Sequence, residues 1–208
     1  MARSDFDARF LRGLEGTKVT TFYDIDHAQE PSAISPTASG IATSVESLSP
    51  PPRICSSWII TQKLSEQAAY LTKENFDNGV GLPLTAGLFL CHLEEELAQI
   101  AFMRIYYQIP VTGTEDDLAK LAQQVIEPEV CSEREAFKQL MAQGCTAAPR
   151  YLGYDEKKQG PNDLVPGGFI NYLVWEKVPG ESLTEDFFWS LDRPTRGDIR
   201  AKFRTAFK

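Results

Sequence analysis

Two hydrophobic periods alternate along this chain. Runs rich in β-formers mark Ser57–Thr61 (SWIIT), Thr85–Leu93, Gln99–Ile109, Ala147–Tyr154 and Phe169–Trp175 as strands. The charged Glu94–Glu96 joins the second and third of these, which predicts a hairpin. Helical spacing then takes over. Leu118, Leu121, Ala122 and Val125 make one face of a helix over Asp116–Val125, with Thr114 as its cap and Asp117 at the reciprocal position. A second helix spans Pro128–Gln143, with Pro128 in its first turn and Gly144 as its stop. Glu185–Leu191 reads as a short helix. Thr195 caps another, with Asp198 at the box position and a stripe of Ile199, Phe203 and Phe207. Between these elements, Glu66–Lys73 reads as helical or irregular, Asn75–Gly81 as a turn and Asp155–Leu164 as a hairpin loop.

The first part of the chain is patterned differently. Phe6, Phe10, Leu11 and Leu14 sit at helical spacing and suggest a short amphipathic helix over Ser4–Glu15. Tyr23-Asp24-Ile25-Asp26-His27 brings two acids beside a histidine, but the spacing matches no ligand motif and reads as a solvated turn. Glu30–Arg53 is rich in Ser, Pro, Ala and Thr and lacks the large apolar side chains that offset the entropy of ordering, so a disordered linker is expected. Residues 1–53 are therefore read as a largely disordered arm, with the folded part beginning near Ile54.

Composition narrows the class. A net charge of −8 argues against a nucleic-acid backbone or an anionic membrane surface as main partner. No apolar run approaches the ~18–20 residues of a membrane span, and the N-terminal stretch has no apolar core of the signal-peptide kind. Cys55, Cys91, Cys131 and Cys145 lie far apart with no CxxC pair. That spacing implies reduced thiols in a cytoplasmic protein rather than a zinc site.

One charge stands out. Arg104 interrupts an otherwise apolar run and needs a partner, because an unpaired buried charge is costly. Helical phase selects that partner. Glu133, Phe137 and Leu140 fall on the core-facing stripe of the second helix, whereas Glu135 lies about 200° around it from Glu133. An Arg104–Glu133 pair is thus expected, with Phe102 on the same face of the strand as Arg104. A ligand-binding pair and a purely structural salt bridge are both compatible with this pattern.

Val165–Leu183 (VPGGFINYLVWEKVPGESL) runs from a Pro-Gly-Gly turn through a strand to Glu176-Lys177-Val178, and breaks at Pro179-Gly180 before a helix. With the strand and helix before it, this stretch resembles the small lobe and hinge of the protein-kinase-like superfamily, nearest to fungal kinase-like proteins related to aminoglycoside phosphotransferases. The resemblance implies an α+β fold: a kinase-like small lobe over 54–178, mostly antiparallel sheet with one packed helix, followed by the start of a helical large lobe over 179–208. It implies ATP as cofactor. Arg104 would stand where the family usually has lysine, Glu133 would hold it, and Phe102 would replace the small residue against the adenine. Trp175 would be the gatekeeper, with the Glu176 carbonyl and Val178 amide meeting the base. Asn78-Gly79-Val80-Gly81 is the nearest approach to a phosphate-cradling loop, although an ordinary turn is the better reading.

The resemblance also sets a limit. The family's His-x-Asp loop follows the final helix, whereas His27 and His92 both precede the hinge, so no catalytic residue is assigned. The expectation is a partial, truncated phosphotransferase-like protein that binds nucleotide without catalysis. The alternatives are a non-catalytic interaction module with a protein partner at its exposed hinge-side face, and an unrelated α+β domain.

Overall fold

The computed structural model describes residues 10–24, 53–127, 131–180 and 183–206. Six strands form its centre: β1 (Lys18–Asp24), β2 (Arg53–Ala69), β3 (Leu84–Leu93), β4 (Ile100–Gln108), β5 (Tyr151–Lys158) and β6 (Phe169–Glu176). They close into a barrel in the order β1-β2-β3-β4-β6-β5, and all neighbours are antiparallel. Helices α1 (Lys73–Asp77), α2 (Leu118–Gln123), α3 (Ser132–Ala142), α4 (Glu185–Ser190) and α5 (Arg193–Ala206) decorate it.

Strand alternation fills the interior. Val19, Trp58, Ile60, Phe89, Cys91, Ala101, Met103, Ile105 and Val174 form one buried cluster. The Trp58 indole N–H has its hydrogen bond there, to Thr21 Oγ1 at 3.1 Å. β2 is long enough to serve two neighbours. Its first half pairs with β1 and its second with β3, and register shifts between Ile60/Gln62 and Lys63/Ser65 bend it between the two. The ring is completed where Phe22 of β1 pairs with Tyr154 of β5. Gly153 makes that approach possible: a Cβ there would collide with Thr21 Oγ1.

One mouth of the barrel is stoppered by Leu11, which is buried and lies so close to Gly87 that a Cβ at that glycine would collide with it. The Phe10 and Leu11 amides donate to the carboxylate of Glu66, which also accepts from Thr85 Oγ1 and Lys63 Nζ. Burial opposes the charged form of Glu66, but these donors together hold its carboxyl below the usual range. Near Gln108 a second polar network forms. The Gln108 amide donates to the Gln124 carbonyl, Gln124 accepts from the Val111 amide, and Gln159 donates to the Gln108 carbonyl.

Several expectations are corrected here. The kinase-like small lobe, an antiparallel sheet with one packed helix, is replaced by a closed six-stranded antiparallel barrel with short helices. The cause is β1, which pairs on both sides and removes the sheet's edges. The folded part therefore begins before Ile54, with Lys18–Asp24 in the barrel wall rather than in an arm. Glu66–Ala69 continues β2, and α1 occupies part of the expected turn after it. Asp117, not Thr114, caps α2; Thr114 instead donates to the Val111 carbonyl. Asp192, not Thr195, accepts the capping hydrogen bond of α5, from the Thr195 amide. Phe10–Glu15 is irregular rather than helical. Phe6, Ile25-Asp26-His27, the linker up to Pro52, Pro128 and Phe207 lie outside the described residues. Among the described residues no helix is long and apolar enough to cross a membrane.

Candidate functional site

The outer surface of the barrel carries the chemistry. Tyr151, Tyr154, Leu173 and Trp175, from β5 and β6, form a second buried cluster against which Phe102, Cys131, Phe137 and Met141 pack. Phe137 is the key to how α3 seats, with its ring centroid 5.8 Å from Trp175 and 6.2 Å from Tyr151. Glu133 lies one turn earlier on the same face, so seating Phe137 places that carboxylate over β4.

There it meets Arg104. Arg104 Nη1 donates to Glu133 Oε1 at 2.9 Å, and the Tyr106 hydroxyl donates to Glu133 Oε2 at 2.7 Å. The guanidinium also lies over the Trp175 ring, 5.3 Å from its centroid. The side chains of Arg104 and Glu133 remain 34% and 25% exposed, so the pair is neither sealed nor freely solvated. Burial, reinforced by Glu133, pushes the Tyr106 phenol up to about 12. It therefore stays a donor across the physiological range.

The surroundings are polar as well as aromatic. The Arg134 guanidinium lies 4.5 Å from the Tyr154 ring centroid, and the Tyr154 hydroxyl donates to Glu156 Oε1 at 2.7 Å. Asn171, paired with Tyr106 across the β4–β6 ladder, is buried, and its Oδ1 has no hydrogen-bond partner. Cys131 precedes α3 without capping it, and burial pushes its thiol up.

Of the four residues expected at a site, the structure brings Arg104 and Glu133 together. Glu176 and Val178 sit elsewhere. Arg104 pairs with Leu173, so Glu176 lies three residues further along β6, a distance of about 10 Å. Its amide donates to the Arg150 carbonyl at 2.9 Å and its carboxylate accepts from the Arg150 amide and Nε, which hold that carboxyl below its usual range. Val178 follows the strand and is 45% exposed. Phe102 shares the outer face with Arg104 and rests 6.1 Å from Trp175, so the adenine position inferred from the resemblance holds two aromatic rings. Asn78–Gly81 follows α1 in the β2–β3 connection, with Gly79 at φ +66°.

Two contributors were not singled out in the sequence. Tyr106 lies two residues from Arg104, and strand alternation alone places it on the same face. Arg134 gives no such signal, because its place over Tyr154 depends on how α3 is seated. Among the described residues no group of three His, Cys, Asp or Glu side chains is placed to hold a metal ion. No protein-family model, curated protein or solved structure matches this chain.

Proposed function

We propose that the outer face of β4 is a binding surface for a phosphate-bearing nucleotide, with Arg104 as its anchor. The observation that carries this reading is the seating of Arg104: one nitrogen on Glu133, the plane over Trp175, and a third of the side chain open to solvent. A guanidinium has five donors in a fixed fork, so one bond to Glu133 leaves others for phosphate oxygens. Glu133 and Tyr106 hold the fork in place before a ligand arrives, which lowers the ordering cost of binding. Phe102, half-buried on the same face, offers aromatic surface beside it. The choice of ATP among phosphate compounds rests on the sequence resemblance of Val165–Leu183 to the nucleotide-side half of ATP-dependent phosphotransferases. When bound, ATP would supply the triphosphate that Arg104 meets. No catalytic residue is assigned to this chain. The four free cysteines support a cytoplasmic setting.

The test is a calorimetric titration of Mg-ATP into the full chain and into Arg104→Ala, with tripolyphosphate as comparison. Saturable binding by the wild type, weakened about tenfold or more by Arg104→Ala, is the expected outcome. No heat of binding from the wild type would sink the reading. Tripolyphosphate binding as tightly as ATP would keep the anchor and remove the nucleotide.

A second reading, a protein-interaction module, is favoured by a specific observation. Beyond β6 the chain exposes Val178, Leu183, Phe187, Trp189 and Phe203, each between 45% and 60% accessible. A partner docked on this hinge-side face would cover them. Static light scattering of the purified chain, with and without a candidate partner, checks it. A monomer that binds nothing counts against it.

A further inference from the structure

Helices α4 and α5 form a small unit with its own chemistry. Arg196 Nη1 donates to the Trp189 and Leu191 carbonyls at 3.2 and 2.8 Å, and its guanidinium lies 5.2 Å from the Trp189 ring centroid. Arg200 lies 5.1 Å from the Phe188 ring centroid. These contacts tie the end of α4 to the start of α5 and leave a groove of about 430 Å³ between them. Leu183, Phe188, Ile199 and Phe203 line the groove, and Arg200 and Arg204 rim it, with Glu185 the one acid among the described lining residues. A volume of this size falls within the ~300–1,000 Å³ of pockets that take small ligands, and it can receive one or two bulky side chains.

The charge pattern says what kind of side chains bring them. α5 carries Arg193, Arg196, Arg200, Lys202 and Arg204 against Asp198 alone, in a chain whose net charge is −8. Basic charge is thus gathered where the apolar groove opens. We infer that this groove docks an acidic amphipathic helix of a partner protein, apolar side chains seated between α4 and α5 and carboxylates on the arginine rim. The inference rests on the interaction-module reading above and names the partner's chemistry. A second copy of the chain fits less well, because it would set one basic α5 against another. An anionic bilayer also fits less well. The apolar surface is a notch rather than an open helix face, and the remainder of the chain would be repelled by the lipid charge.

The probe is a fluorescein-labelled synthetic amphipathic helix with Leu and Phe on one face and Glu on the other. A twin carries Lys in place of Glu. Fluorescence anisotropy with the full chain should show saturable binding of the acidic peptide, weaker at higher salt, and none of the Lys twin. Arg204→Glu and Phe203→Ala should each weaken it about tenfold or more. Both side chains are exposed, and circular dichroism of each variant is the check that it folds. Equal binding of the Lys twin, or undiminished binding by Arg204→Glu, would overturn the inference. So would flotation with phosphatidylcholine–phosphatidylserine vesicles in the absence of peptide binding. A sedimentation dimer abolished by Phe203→Asp, again without peptide binding, would overturn the acidic partner and leave the interaction module standing. If peptide, vesicle and self-association all fail, the acidic-helix inference falls, and the interaction module is decided by light scattering with a candidate partner.

Discussion

Inward from β4 point Ala101, Met103 and Ile105, none more than 1% exposed, while outward point Phe102, Arg104 and Tyr106, all half-buried. The two sets alternate residue by residue on one strand. The inward set carries no charge or hydroxyl and packs in the buried apolar cluster of the barrel. The outward set holds a charge and a hydroxyl, both satisfied by Glu133 and close enough to water for a ligand to compete. A period of two is what allows this. The same strand packs into the buried apolar cluster and displays an anchored cation, and neither role compromises the other. A one-residue slip would exchange them, burying Arg104 without a partner, so the interior itself fixes the register of the site.

The sharpest way to break the contrast is to put a charge on the wrong face. Met103→Asp buries an unpaired carboxylate and should abolish cooperative unfolding in urea, at a cost above ~4 kcal/mol. Phe102→Ala, one residue away, should unfold cooperatively with a loss of about 1–3 kcal/mol.

Next comes closure of the ring. Gly153→Ala drives a Cβ onto Thr21 and should cost ~2–4 kcal/mol by overpacking and backbone strain. Hydrogen exchange should quicken selectively in β1 as it leaves β5. Unchanged exchange there would deny that the Phe22–Tyr154 contact closes the barrel.

A smaller effect tests the stopper. Because the Glu66 carboxyl is held low in the folded state, its contribution is present above the unfolded value of ~4.3 and is lost as pH falls through the folded value. Wild-type stability should therefore decline below that point more steeply than that of Glu66→Gln in urea titrations between about pH 5 and pH 3. Parallel declines would remove Glu66 from the acid response.

The gentlest probe compares thiols. Cys91 is fully buried in the barrel, with its thiol pushed up to about 12, whereas Cys55 is exposed. A thiol reagent at neutral pH should modify Cys55 in the native protein and reach Cys91 only on unfolding.

What the sequence made legible follows from the range of each signal. The β3–β4 hairpin and β6 could be read because alternation and turn residues are local. The Arg104–Glu133 contact could be read because a charge in an apolar strand and the phase of α3 are also local facts. β1 was hidden. Lys18–Asp24 is half polar, and its role depends on pairing with β2 and β5, far off in the chain. The second half of β2 was hidden for a related reason. Gln62–Ala69 reads as polar because of its bulges and because Glu66 points inward to bind the Phe10 and Leu11 amides. Together these two omissions made an open sheet of what is a closed ring. Glu176 and Val178 were placed by resemblance alone, and the structure sets them apart from the pair.

The chain's three tryptophans report on three regions at once. Trp58 is inside the barrel, Trp175 lies under Arg104, and Trp189 is exposed on α4. Their indole N–H signals in a ¹⁵N-labelled sample, followed through a Mg-ATP titration, test the account most directly. The prediction is a saturable shift of Trp175, no shift of Trp58, and loss of the Trp175 response in Arg104→Ala. Signals that all stay fixed, or a Trp58 that moves as far as Trp175, would contradict a nucleotide site on the outer face of β4.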